Sequence, residues 1–437
     1  MTTTELIDPQ DEELPVGPMP AGPRRRRRTG VARRPVRWFF IVSHRWLSLV
    51  LGLVLLAITV SGTVLLYRPE LQRVLDHDAY ATSSGTRTVT FEQAYDAVEK
   101  AHPTFDGVTV IAANGVLKVA NADYDSFWTV DPHTGKVLGH IGDTPGWMKF
   151  LDNLHECFLS CEGYPGYVKG LTKEIPGTGW LGLDGAKITY GNLVLGLFGL
   201  ILLYLSLTGI WLWFPRPSRW RTSMNVRWSK GRFARDTDLH KVVGMIAIPA
   251  LLLWAVTGAG FVMGPIEKAW YAATPGKQLP DTDPGVSVKA KGADIGIGRA
   301  VAAVANKYPR DTIVSVGLPA KGDPTATYDV WLSDGFDPYG STEYPGDRGV
   351  SVDRHTGRTT TYYGQPGEST AQSVWDSWNY PAHAGYIVNG WWRLLWLVFG
   401  IAPLALAVTG VSTWLVRRRN NKRRKQAQRA RTAASAT

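Results

Sequence analysis

His44-Arg45-Trp46, an apolar run to Ser61-Gly62, then Tyr67-Arg68-Pro69-Glu70: this stretch has a near copy later in the chain. The copy is His240-Lys241, an apolar run to Thr257-Gly258, then Gly264-Pro265-Ile266-Glu267. Glycine follows histidine by 18 residues in both, and proline follows it by 25. Continued toward the proline, each stretch is long enough to span a bilayer, for which ~20 apolar residues suffice. Two related membrane helices with a histidine at the same end form a pair able to share one ligand.

Working outward, four segments are too long and too free of charge for ordinary globular helices: Trp38 to Tyr67, Tyr190 to Phe214, His240 to Met263 and Trp391 to Val416. The sequence therefore predicts spans over 38–67, 190–214, 240–264 and 391–416. Two long polar regions, 68–189 and 265–390, lie between them, with a short loop at 215–239.

Basic charge sorts these pieces. The tail 1–37 carries Arg24 to Arg28, Arg33, Arg34 and Arg37, and its mixture of Pro, Gly, acidic and Arg blocks predicts disorder. The short loop carries Arg216, Arg219, Arg221, Arg227, Lys230, Arg232 and Arg235, and the tail 417–437 opens with Arg417-Arg418-Arg419. Positive charge beside membrane ends marks the cytoplasmic side. Both termini and the short loop are thus expected inside, and both long regions outside, in a cytoplasmic membrane of bacterial type. The net charge of +11 becomes a topology signal, and nucleic acid is excluded as partner because every Arg run abuts a span. No secretory signal is expected, since the first apolar run far exceeds an h-region. Trp38, Trp46, Trp211, Trp213, Trp391, Trp392 and Trp414 near span ends suit the headgroup layer of the lipid bilayer. Cys157 and Cys161 fall in an exterior region, where a disulfide is permitted, although four residues on a regular helix is poor geometry for one.

The repeat extends into the polar regions. Thr90 to Ala94 with Ala97 to Pro103, and Ile297 to Ala300 with Ala303 to Pro309, each read as a short amphipathic helix stopped by proline. Strand-like segments follow at Val108 to Ile111, Val116 to Ala120 and Phe127 to Val130, and again at Thr312 to Val316, Tyr328 to Leu332 and Gly349 to Val352. Each copy then shows Asp-x-His-Thr-Gly, at Asp131 to Gly135 and Asp353 to Gly357, which reads as a hairpin turn. Thr208-Gly209 and Thr409-Gly410 complete a set in which every span carries Ser/Thr-Gly near one end. Small residues there let helices, or a flat cofactor, approach the backbone. The expected fold is an α-helical membrane protein. It is a four-helix transmembrane bundle with two exterior α+β domains, from a tandem helix–domain–helix duplication.

These motifs resemble the PepSY-associated transmembrane proteins over about residues 38–416, with two PepSY-like exterior domains. The resemblance is carried by Ala97 to Pro103, Asp131 to Gly135, Val301 to Pro309, Asp353 to Gly357, His44 to Gly62, Leu154-His155, Leu207 to Trp213, Asp238 to His240 and Val408 to Gly410. It implies kinship with membrane-bound, b-type-haem reductases of ferric siderophores linked to iron uptake. Two departures stand out. Residues 162–187 read as an insertion, and the fourth-span site is Tyr380-Pro381-Ala382-His383-Ala384-Gly385 instead of Leu-His.

Four of the nine histidines adjoin the four spans. His44 and His240 sit at cytoplasmic ends, and His155 and His383 at exterior ends, one pair per face. Two imidazoles from facing helices can hold one haem from both sides. The expected cofactor is haem b, two per chain, with iron ligated by His44 with His240 and by His155 with His383. His133 and His355 read as turn residues. No Cys-x-x-Cys-His, nucleotide-binding glycine fingerprint or hydrolase motif occurs. Electrons must then come from a separate cytoplasmic or quinol donor and pass to an exterior ferric chelate or siderophore, which would make the chain an oxidoreductase. Two rival functions stand beside this. One is a non-enzymatic, membrane-anchored module binding or restraining an exterior peptide or protease. The other is a transporter, disfavoured by spans almost without internal charge.

Overall fold

The computed structural model describes residues 35–142, 145–213, 220–280, 282–288, 292–333, 346–387 and 390–435. The expected disorder of the N-terminal tail concerns residues almost all outside this set, as do Arg216 and Arg219 of the basic loop. The helices are α1 (Pro35–Val50), α2 (Gly52–Leu65), α3 (Arg68–Leu75), α4 (Phe91–Ala101), α5 (Gly146–Glu156), α6 (Tyr190–Trp213), α7 (Trp220–Ser223), α8 (Arg232–Gly260), α9 (Gly264–Ala273), α10 (Gly296–Lys307), α11 (Thr370–Asp376), α12 (Asn379–Ala384) and α13 (Gly390–Ala434).

Among the described residues, α6, α8 and α13 are each long and apolar enough to cross a membrane. The first expected span is instead a bent pair: α1 and α2 meet at 64° around Leu51 and Gly52. An apolar run reads the same straight or bent, and glycine is where a helix yields most easily. Two further boundaries differ from expectation. Helix α8 begins at Arg232, ahead of His240, and α13 continues from the fourth span through the basic tail to Ala434. The tail residues include good helix formers and no proline, so nothing stops the helix. Around the membrane part, α1 packs on α6, α6 on α8, α8 on α13, and α13 on α2. Close approach is bought by small residues: a β-carbon at Gly199 would meet Ala259, and one at Gly400 would meet Thr63. Leu53, Leu207, Ile246, Val398 and Val408 face outward, as lipid contact requires.

The strands are β1 (Thr109–Ala113), β2 (Val116–Ala120), β3 (Phe127–Val130), β4 (Val137–Ile141), β5 (Thr312–Gly317), β6 (Tyr328–Ser333), β7 (Arg348–Val352) and β8 (Thr359–Tyr363). They form one antiparallel sheet in the order β4-β3-β2-β1-β5-β6-β7-β8. The two exterior domains expected from the sequence thus do not stand apart. Strands β1 and β5 pair, with Val110 opposite Val316, and each covers what would be the other half's open edge. One core serves both halves. Helix α4 contributes Phe91, Ala94 and Val98, and α10 contributes Ile297, Ala300 and Val304 at the same spacing. These pack on Val110, Leu117, Val119 and Val130 from one half and on Val316, Val330, Leu332 and Val350 from the other.

The Asp-x-His-Thr-Gly motifs are the β3–β4 and β7–β8 turns. Asp131 accepts hydrogen bonds from His133 N–H and from the N–H and hydroxyl of Ser83. Asp353 accepts from the N–H groups of Val288, His355 and Thr356. Although burial opposes ionisation, these donors hold both carboxyls well below the usual range. Each aspartate thereby pins the chain entering its half to its hairpin.

Candidate functional site

Each of the four span-associated histidines faces the Ser/Thr-Gly motif of a different helix. His44 on α1 places Nδ1 2.8 Å from the hydroxyl of Thr208 on α6. His240 on α8 places Nδ1 3.1 Å from the hydroxyl of Thr409 on α13 and 3.2 Å from Leu406 O. These two define a layer at the basic end of the helices, and the two rings lie within electrostatic reach of one another.

The second layer lies at the sheet end. His155 comes from the last turn of α5, and its Nδ1 is 2.8 Å from Ile58 O on α2. That carbonyl also takes the hydroxyl of buried Ser61. His383 comes from α12 and places Nδ1 2.7 Å from the hydroxyl of Thr257 on α8. The His155 and His383 rings face one another with centroids 6.0 Å apart, tilted by 49°. Burial pushes both imidazoles below the ordinary histidine range, partly offset at His155 by its hydrogen bond and deepened at His383 by His155. Both are therefore neutral near pH 7, the form that ligates metals.

The glycines complete the pattern. A β-carbon at Gly209 would sit 3.8 Å from His44 Cε1, at Gly410 3.6 Å from His240 Cε1, and at Gly258 3.6 Å from His383 Cε1. At Gly62 it would fall only 2.2 Å from His155 Cε1. Hydroxyl and bare backbone occur in successive residues, so one motif can bond a ring and also let it lie against the helix.

Other groups fix the frame. His383 sits in a short helix, and its carbonyl accepts from the indoles of Trp254 (3.0 Å) and Trp396 (3.2 Å). Cys157 and Cys161 are joined in a disulfide just past α5, and Phe158 and Leu159 between them take positive φ. The chain has left the helix there, which removes the geometric objection to a four-residue spacing. Asn153 reinforces the loop by accepting from Cys161 N–H and donating to Pro165 O. At the sheet end of α13, buried Arg393 pairs with Glu70 at 2.9 Å, donates to Leu66 O, and lies between the rings of Tyr67 and Tyr386. At the basic end, Asp238 accepts from Arg227 at 2.7 and 2.9 Å and holds the loop against α8.

Of the five remaining histidines, His77 lies in the turn that follows α3 and four belong to the sheet domain. His133 and His355 lie in the two turns, His102 stacks on Trp128 at 3.4 Å, and His140 bonds Ser126. Among the described residues, no group of three or more His, Cys, Asp or Glu is placed to hold a metal ion. Two-imidazole layers suit instead a metal whose other ligands come from a flat organic ring. The donor set and the glycines opposite it fit haem. The threonine partners were not foreseen from sequence. Their motif is visible there, but each serves a histidine on another helix, more than 160 residues away for Thr208 and Thr409.

Residues 42–417, nearly the whole chain, match the model of a protein family described as the PepSY-associated TM region. No curated protein matches the sequence. The apolar helices and this match together make the chain a multi-pass membrane protein.

Proposed function

The chain belongs to the PepSY-associated transmembrane family, and we propose that it is a dihaem b-type electron-transfer protein that reduces an exterior ferric chelate or siderophore with electrons from the cytoplasmic side. The observation that carries this reading is the pair of histidine layers, each imidazole set against a glycine of a neighbouring helix. His44 with His240 would hold one haem, and His155 with His383 the other. When bound, such groups supply one-electron carriers in the low-dielectric membrane core.

The protein's own residues do the rest. Gly62 opens room beside the His155 ring, and the Nδ1 hydrogen bonds fix ring orientation. Trp254 and Trp396 anchor the backbone of His383. Arg393 ties the sheet end of the fourth span to Leu66 O at the end of the first and to Glu70 on α3. His44 and Gly62 lie 18 residues apart, so the two layers are ~27 Å apart along a straight helix and less across the bend, against a core of ~30 Å. Electrons would enter from a cytoplasmic or quinol donor. At the exterior face the iron of the chelate gains one electron, and Fe(II) is held less well by hard oxygen donors. The same proposal takes the membrane part as a four-helix bundle made by tandem duplication, with both termini cytoplasmic and the sheet outside a bacterial-type membrane.

The test is a pyridine haemochrome assay on protein expressed with ample haem. About two b-type haems per chain are expected. His44→Ala or His240→Ala should remove one and spare much of the other. Proteoliposomes with donor sealed inside and ferric chelate plus a ferrous-specific dye outside should form dye only when all four histidines are present. No haem in the wild type would overturn the reading and leave a membrane-anchored module that binds an exterior peptide or protease.

A further inference from the structure

Proton accounting around the histidines assigns a role to residues outside the ligand set. A threonine hydroxyl has one proton to give. Thr208 spends it on Tyr204 O at 2.7 Å, Thr257 on Leu253 O at 2.7 Å, and Thr409 on Ala405 O at 2.7 Å. Each is the carbonyl one turn back in the same helix. The oxygen facing the imidazole can therefore only accept, and the proton between them belongs to the ring. The fourth case agrees by another route. Ile58 O is a carbonyl, an acceptor by nature, and Ser61 beside it also donates to it at 2.8 Å. With the hydroxyl protons on those carbonyls, all four rings carry hydrogen on Nδ1. Among the described residues, no hydrogen bond reaches Nε2 of any of the four.

We propose that Thr208, Thr257 and Thr409, with the Ile58 carbonyl, are positioning groups that lock the four imidazoles as Nδ1–H tautomers and reserve each Nε2 lone pair for haem iron. The assignment of a ligand rests on the proposed function, whereas the tautomer rests on the hydrogen bonds alone. Metal-bound histidines characteristically donate their second ring N–H to such a partner, which fixes tautomer and ring plane together. The motif now has a reason for its order. Threonine bonds Nδ1, and the glycine after it lies against Cε1, the next ring atom, at 3.6 to 3.8 Å from where its β-carbon would be. Threonine directly before glycine thus handles one whole edge of the ring and turns the other edge away.

The experiment uses full-length protein with selectively 15N-labelled histidine, observed before and after haem is added. Thr257 is the position to change, because His383 Nδ1 has no second partner among the described residues, whereas His240 also reaches Leu406 O. In the haem-free wild type and in Thr257→Ser, the His383 nitrogens should report Nδ1–H. In Thr257→Val that signature should be lost while His44 is unchanged, the latter showing an intact fold. Haem affinity of the sheet-end site should fall on the order of 10–100-fold in Thr257→Val and return in Thr257→Ser. Thr208→Val makes the same test of His44 should the first variant misfold. Nε2–H at His383 in the wild type would overturn the proposal, as would a valine variant equal to wild type in tautomer and affinity. A wild type that takes up no haem but keeps Nδ1–H throughout removes the proposed function and sustains the tautomer lock.

Discussion

Replacing each motif glycine by alanine should separate one position from the other three. On the present backbone, a β-carbon at Gly62 lies 2.2 Å from His155 Cε1 and 2.8 Å from both ring nitrogens. Carbon contacts settle near ~3.5–4.0 Å, so the ring must retreat by more than ~1 Å. That movement breaks the 2.8 Å bond to Ile58 O, since hydrogen bonds do not survive much beyond ~3.5 Å. At Gly209, Gly258 and Gly410 the corresponding distances to a histidine are 3.8, 3.6 and 3.6 Å, ordinary contacts. Alanine in a helix interior gains up to ~1 kcal/mol over glycine, whereas overpacking costs ~1–3 kcal/mol. Gly62→Ala should thus lower stability by up to ~2 kcal/mol and weaken the sheet-end haem signal. The other three should melt at or slightly above wild type with both signals kept. Thermal unfolding in detergent, followed with the visible spectrum, reads both effects. A Gly62→Ala protein with wild-type melting and spectrum would refute the reasoning, and so would a Gly258→Ala protein damaged as badly.

Replacing Cys157 and Cys161 together by Ser opens a short loop whose closure is worth ~2 kcal/mol in the chain-entropy account. Melting should fall accordingly, and added reductant should then have no further effect. Asp131 and Asp353 are held below the unfolded aspartate value of ~3.9, so each contributes stability that is complete above that pH and lost as pH falls toward its folded value. Asp131→Asn should therefore melt lower at pH 7 and show a shallower decline between pH 4 and 2. Asp376 has the opposite sign, because burial pushes its carboxyl up to about 6. Stability tied to its neutral form is complete below ~3.9 and disappears as pH rises through about 6. Asp376→Asn should then melt higher than wild type at pH 8 and about equally at pH 4, as a pH series of melting curves would show.

Much of the architecture is legible in the sequence because it is written in local periodicity. Strands β2 and β3 fall where alternation places them, α6 begins where its expected span does, and both Asp-x-His-Thr-Gly turns join hairpins. What escaped is set by partners distant along the chain. The pairing of Val110 with Val316 leaves no local mark, because an edge strand and an inner strand of this composition read alike. The bend at Leu51 is hidden inside an unbroken apolar run. The helical tail is hidden by its charge, since basic residues suit a solvated helix as well as a loose tail. Of the four histidines that spacing singles out, each meets a hydroxyl or carbonyl on a different helix, which could be found only in space.

The β1–β5 junction also sets a schedule for synthesis. Val110 and Val316 are separated by 206 residues of chain. A ribosome adding ~5–20 residues per second needs on the order of 10–40 s to supply the partner. Throughout that interval the first four strands exist with β1 as a bare, mostly apolar border, the kind of edge that recruits wrong partners. Early in its life the nascent protein therefore depends on something else to shield that border. A chain truncated before Thr312 should aggregate even though its first four strands are complete.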